Sequence, residues 1–170
     1  MADREQIREI RVNPIVPSES VLVATARGMR PKKEEERPVR DQRAHVEHCP
    51  FCTGNEHKTP PEIARRGDSE NWRIRIVENL YPVLGTDRDP GNFNFGLQQA
   101  IAGYGRHEVI IDHVQHGLAL HEFSNEHLAE LLLTYQQRSA EIYASDARLR
   151  YVLVFKNYGP AAGASIAHTH

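Results

Sequence analysis

Four segments carry the pattern of β-strands. Ser20 to Ala24 is short and β-branched, and Trp72 to Val77 alternates bulky apolar with basic residues, as a half-buried strand should. His107 to Asp112 is a third such segment, and Tyr151 to Phe155 is so nearly all apolar that it predicts a central strand. One segment has helical spacing. Ser124 can cap it, Leu128, Leu131, Leu132, Tyr135 and Ile142 fall on one face, and the helix is expected to run to about Ala144. His127 lies in this helix off the apolar stripe, which predicts a solvated side chain. The Gly-, Asn- and Asp-rich stretch from Val83 to Gly105 predicts a long loop, and the charged, proline-containing stretch from Arg27 to Val46 an exposed connection. No internal repeat is visible. The order strand, strand, strand, helix, strand lacks regular βαβ alternation, so the expectation is an α+β fold: a mainly antiparallel β-sheet with one long covering helix.

Composition narrows the class. A chain of 170 residues is one domain of ordinary size, or one large unit of something bigger. A net charge of −2 argues against a nucleic-acid binder that works through a basic field. Two cysteines exclude a disulfide scaffold. There is no apolar run of membrane-spanning length, and Met1-Ala2-Asp3-Arg4-Glu5 lacks the apolar core of a signal peptide. A soluble cytoplasmic protein that binds neither membrane nor nucleic acid is the expectation.

Two clusters carry chemistry. Cys49-Pro50-Phe51-Cys52 is a Cys-x-x-Cys pair, whose usual uses in a reducing cytosol are metal binding and redox exchange. A redox pair belongs after a strand and at a helix N-terminus, whereas this one follows a charged stretch. A tetrahedral zinc needs two more ligands, and with no further cysteine these must be His or carboxylate. The chain holds ten histidines, and spacing alone does not choose among them. The second cluster is Asn157 to His170, where a small-residue loop containing Gly159, Gly163 and Ser165 leads into His168-Thr169-His170. Such a loop lets backbone N–H groups approach an anion closely. In a His-x-His on a strand both rings share one face, so one imidazole could hold a metal while the other acts as nucleophile or base.

Taken together, these segments resemble the N-terminal half of the galactose-1-phosphate uridylyltransferases, of the histidine-triad superfamily. The resemblance runs over nearly the whole chain: Arg11-Val12-Asn13-Pro14, Cys49-Pro50-Phe51-Cys52 with Gly54-Asn55-Glu56 and Thr59-Pro60-Pro61-Glu62, Val77-Glu78-Asn79-Leu80-Tyr81-Pro82, His107 to Ile111 with His116 beyond, and Asn157 to His170. It implies a structural zinc on Cys49, Cys52, His116 and His168. It implies His170 as the nucleophile, and Asn79, Asn157, Gly163 and Ser165 as contacts to the nucleotide or its phosphates. It further implies uridylyl exchange between UDP-glucose and galactose 1-phosphate through a nucleotidyl-histidine, in a homodimer.

The chain departs from the family pattern in carrying Thr169 where His-Pro-His is usual, a substitution also familiar in related nucleotide-sugar phosphorylases. An ADP-sugar or dinucleoside phosphorylase is therefore the alternative within the superfamily. The glutamine expected two residues after the nucleophile, and the family's second, similar half, would lie past His170. On this reading residues 1–170 are one histidine-triad-like domain of a larger enzyme. A non-catalytic zinc-binding module is the alternative from another class, and it leaves the loop and His168-Thr169-His170 unexplained.

Overall fold

A computed structural model describes residues 7–29 and 40–170, apart from the side chain of Pro160. Half of the charged stretch expected as an exposed connection, residues 30–39, therefore lies outside the described residues. The chain divides into two compact units, residues 1–31 with 79–108 and residues 32–78 with 109–170.

The first unit is a four-stranded antiparallel sheet in the order β2-β1-β6-β5, from β1 (Arg8–Val12), β2 (Ser20–Ala24), β5 (Asn92–Phe95) and β6 (Gln98–Ala102). The expected loop from Val83 to Gly105 thus contains a hairpin, turned at Gly96-Leu97, with Phe95 opposite Gln98. Asn-rich β5 and Gln-rich β6 hide it from a reading based on apolar alternation, because their pairing rests on backbone bonds and on Ala100 alone being fully buried.

The second unit holds a three-stranded sheet, β3 (Glu62–Gly67), β4 (Trp72–Glu78) and β7 (Glu108–Ile111) in that order, and the helix α1 (Asn125–Ser145). The class is α+β as expected, with the strands shared between two sheets instead of one. Ser124 caps α1 by accepting a hydrogen bond from the His127 N–H at 3.2 Å. Leu128, Leu131 and Tyr135 press α1 onto Ile74 and Ile110. Leu132 is 64% exposed, because it stands a further 100° around the helix from the fully buried Leu131.

Two strand expectations fail. Tyr151 to Phe155 is not a strand among the described residues, and Tyr151, Leu153 and Phe155 are exposed. An apolar run specifies a strand only where a neighbouring edge accepts it. Strand β4 is also not half-solvated, since Arg75 on its basic face is 1% exposed. Its guanidinium donates to Glu62 at 2.6 Å and to the Thr59 hydroxyl at 3.2 Å, and lies 5.5 Å from the Trp72 ring. Its Nη1 is buried with no hydrogen-bond partner among the described residues.

Removing one partner of a buried ion pair strands the other charge, whereas replacing both by apolar groups is nearly neutral. Glu62→Ala is therefore expected to destabilise the protein by about 3 kcal/mol, read from urea unfolding. The pair Glu62→Leu with Arg75→Met should cost less than half as much; an equal or larger loss would show that charge neutralisation is not what Glu62 provides.

Candidate functional site

The Cys-x-x-Cys segment is a tight turn. The Cys49 N–H donates to the Val46 carbonyl at 3.1 Å, and the Cys52 N–H to the Cys49 carbonyl at 3.2 Å. Asn55 locks it from inside: its buried amide donates to the carbonyls of Glu47 at 3.0 Å and Cys49 at 2.8 Å. Glu56 then ties the turn to the sheet by accepting from the Trp72 indole N–H at 2.8 Å. Both cysteines are buried, and neither is in a disulfide. Phe51, between them, joins the core formed with Trp72, Val77 and Ile111.

His116 and His168 come to this turn from elsewhere in the chain. One donor atom from each of Cys49, Cys52, His116 and His168 lies within 4.8 Å of all the others, and all four residues are buried. His116 Nδ1 faces Cys52 Sγ at 3.4 Å, and His168 Nδ1 faces Cys52 Sγ at 3.6 Å and Cys49 Sγ at 3.8 Å. The opposite nitrogens are engaged outward. His168 Nε2 donates to the His113 carbonyl at 2.7 Å, and His116 Nε2 lies 3.3 Å from the Asp41 carboxylate. A carbonyl only accepts, so the His168 proton sits on Nε2 and the Nδ1 lone pair is turned to the cluster. This is the outer-shell arrangement that orients metal-bound histidines. Two thiols and two Nδ1 atoms form the Cys2His2 donor set that zinc takes in closed structural sites. The described residues thus fit zinc.

The approach of His116 depends on Gly117. A Cβ there would lie 2.6 Å from the Gln42 carbonyl carbon and 2.7 Å from the Asp41 carbonyl oxygen, so a larger residue would have to displace the segment whose Asp41 meets the His116 ring.

Burial sets the protonation. It lowers His168 from its ordinary 6.5 to about 4, and lowers His116 as well, which keeps both lone pairs available near neutral pH. Burial, helped by the neighbouring Cys52, pushes the Cys49 thiol up to about 11, so without a cation this site holds a proton.

The His168-Thr169-His170 segment is not in an assigned strand, yet its two rings still share a neighbour. Phe51 stands edge-on to both, with ring centroids 6.2 Å from His168 and 5.2 Å from His170. His170 Nδ1 is 2.8 Å from the His168 carbonyl oxygen. Asn157, Gly163 and Ser165 are exposed on the stretch leading to these histidines, and Gly163 has φ +82°, a backbone conformation suited to glycine. Asn79 belongs to the first unit, where its side chain accepts from the Tyr81 N–H at 2.8 Å and lies 3.3 Å from the His107 ring.

His127 is not solvated. Its Nε2 donates to the Asp112 carbonyl at 2.7 Å, and its ring packs edge-on against His113 at 4.5 Å and Phe123 at 5.0 Å. Asp41, Phe51, Asn55 and His113 brace the cluster, and the sequence does not mark them as site residues. Asn55 and Phe51 had a signal, since they lie in the cysteine motif itself; Asp41 and His113 act through contacts with no local pattern.

The family model for galactose-1-phosphate uridyl transferase, N-terminal domain, matches residues 1–170. The chain belongs to this family. It is 32% identical over 168 residues to an ADP-glucose phosphorylase of Arabidopsis thaliana, covering 97% of this chain and 47% of that protein. It is 27% identical over 163 residues to a galactose-1-phosphate uridylyltransferase of Thermotoga maritima, covering 95% and 44%. The crystal structure of an ADP-glucose phosphorylase from Arabidopsis thaliana with bound ADP-glucose superposes with a TM-score of 0.60 at 30% identity, covering 94% of this chain and 46% of that one. This uridyl transferase-family chain thus spans about half the length of the curated relatives it matches. Among its described residues no helix is long and apolar enough to cross a membrane.

Two outcomes follow, one from the donor set and one from the buried imidazoles. A Cys49→Ser, Cys52→Ser double variant is expected to lose bound zinc, measured by metal analysis of the purified protein; full zinc retention would remove these residues from the ligand set. The second concerns pH. His107, His113 and His168 are each lowered to about 4 by burial, so the folded state binds fewer protons than the unfolded chain between about 4 and 6.5. Their contribution to stability is present above 6.5 and lost as pH falls toward 4. The urea midpoint of the metal-free protein should therefore drop across that window, and a flat midpoint would contradict the neutral, buried state of these rings.

Proposed function

We propose that this chain is the histidine-triad-like N-terminal domain of a nucleotidyl-transferring enzyme, with His170 as the nucleophile toward a nucleoside diphosphate sugar. The observation that carries the reading is the 2.8 Å contact between His170 Nδ1 and the His168 carbonyl oxygen. A carbonyl accepts only, so Nδ1 bears the proton and the lone pair of the neutral imidazole is on Nε2.

In the first half-reaction Nε2 attacks the α-phosphorus in line. The Nε2–P bond forms, the P–O bond to the leaving sugar 1-phosphate breaks, and a nucleotidyl-histidine remains. In the second, a phosphate oxygen of the acceptor attacks the same phosphorus and the Nε2–P bond breaks. Asn157, Gly163 and Ser165, with Asn79, are the proposed contacts to the nucleotide and its phosphates. Most of the acceleration in phosphoryl transfer comes from positioning and charge stabilisation, which is what backbone and side-chain donors of such a loop supply. Cys49, Cys52, His116 and His168 would hold zinc. With four protein donors, these residues would give a bound zinc a structural role, and it would supply folding energy.

The acceptor and the base are the finer part of the proposal. The identity of 32% to an ADP-glucose phosphorylase, against 27% to a uridylyltransferase, supports phosphorolysis of an ADP-sugar with inorganic phosphate as acceptor. Exchange between UDP-glucose and galactose 1-phosphate is the second reading, supported by the family model. In either case the enzyme is proposed to act as a cytoplasmic homodimer on small-molecule substrates.

The test uses the protein as its gene encodes it. Incubation with α-phosphate-labelled ADP-glucose or UDP-glucose should leave label on the wild-type protein and none on His170→Ala, whose kcat should fall by about 10⁴-fold or more. Labelling of His170→Ala at the wild-type level would overturn the nucleophile assignment. The acceptor is read from which compound discharges the label, inorganic phosphate or galactose 1-phosphate.

A further inference from the structure

We propose that Lys156 and Thr169 form a positioning clamp for the His168-Thr169-His170 segment, anchored on Asp112, and that this clamp sets the alignment of His170 for attack. The proposal rests on the reading of His170 as nucleophile. Its basis is a closed set of hydrogen bonds on the side of the segment that carries the Thr169 side chain. The Lys156 ammonium has three protons, and the structure offers an acceptor for each: the Asp112 carboxylate, the Thr169 hydroxyl at 2.6 Å and the His170 main-chain oxygen at 3.0 Å. The Thr169 hydroxyl, accepting from Lys156, donates in turn to Asp112 Oδ2 at 3.1 Å. The third donor to the carboxylate is the Tyr135 hydroxyl of α1, on Oδ1 at 3.0 Å. The backbone closes the same join, with the Asp112 N–H directed at the Thr169 carbonyl at 3.3 Å.

Asp112 and Thr169 are buried, at 0% and 3% exposure. A buried carboxylate with three donors, one of them a cation, holds its neighbours more firmly than surface contacts do, because each lost partner leaves a charge in a poor solvent. The segment is thus fixed from both sides. His168 is held through its Nε2 to the His113 carbonyl, and Thr169 is held to the end of β7 and to α1. His170 has its main-chain oxygen on Lys156 and its Nδ1 on the His168 carbonyl. A shift of the Thr169 peptide moves that carbonyl, and with it the direction of the His170 Nε2 lone pair.

The arrangement gives the residue between the two histidines a task that proline cannot perform. Proline has no hydroxyl to accept from Lys156 and donate to Asp112. A positioning role of this kind acts on the rate of the attack and not on binding, because an offset near 1 Å costs an in-line reaction about 100-fold.

The experiment measures single-turnover labelling in the protein as its gene encodes it, with the nucleotide sugar that labels the wild type, and counts rates per zinc-loaded folded enzyme. Lys156→Met and Thr169→Val should each slow nucleotidyl-histidine formation by about 100-fold, with KM for the nucleotide sugar within about threefold. Thr169→Ser should keep the wild-type rate. The Lys156→Met, Thr169→Val double variant should be no slower than the slower single one, because the two residues act as a unit. Thr169→Val is isosteric, so the Val and Ser variants decide the matter even if Lys156→Met does not fold. The clamp is overturned if Thr169→Val labels at the wild-type rate, or if KM rises while the labelling rate holds. If one of these outcomes is seen while His170→Ala fails to label in the same series, the nucleophile stands and only the clamp has failed. If His170→Ala labels, both fall.

Discussion

The convergence of two thiols and two imidazoles at one buried point is the constraint on which the second unit depends. Cys49 and His168 are 119 positions apart in the chain, yet Sγ and Nδ1 lie 3.8 Å from each other. Such a cluster has no intrinsic affinity for itself: burial holds the proton on the Cys49 thiol and disfavours the charged form of both rings. It is stable only if the outer atoms of each ligand are satisfied, and here they are. Asn55 holds the turn between the cysteines, the His113 carbonyl takes the far side of His168, and Asp41 takes the far side of His116.

From that point outward the unit reads as a series of ties back to one sheet. The turn of the cysteines is fastened to β4 through Glu56 and Trp72, and the stretch after it through Thr59 and Glu62 to Arg75. The far end of the chain is fastened to the end of β7 through Asp112. Two histidines separated by one residue therefore have different surroundings. His168 is fully buried among sulfurs, while His170 keeps some exposure beside Phe51. Burial and neighbours, not residue type, set the two imidazoles apart.

Much of this was legible in the sequence where the signal is local. The bounds of β2, β4 and α1 follow from alternation, helical spacing and the Ser124 cap, each of which is decided within a few residues. The cysteine motif and the terminal histidines stand out for the same reason. What misled was the inference from apolarity to burial. Tyr151 to Phe155 has the composition of a central strand and is largely exposed, whereas Arg75, on the face read as solvated, is buried because Glu62 and Thr59 come to it from another strand and turn. The helical wheel points His127 to solvent, but the carbonyl of Asp112 and the ring of His113 stand over that position.

The sequence by itself determined the class of fold, the long helix, the thiol pair and two histidines one residue apart behind a small-residue loop, because residue type and short-range spacing are enough for each. Which of the ten histidines face the thiols, which nitrogen they present, and what braces Thr169 were decided only by tertiary structure. The physical reason is that a ligand is defined by lone-pair direction and burial, and both depend on carbonyls and carboxylates supplied by distant parts of the chain.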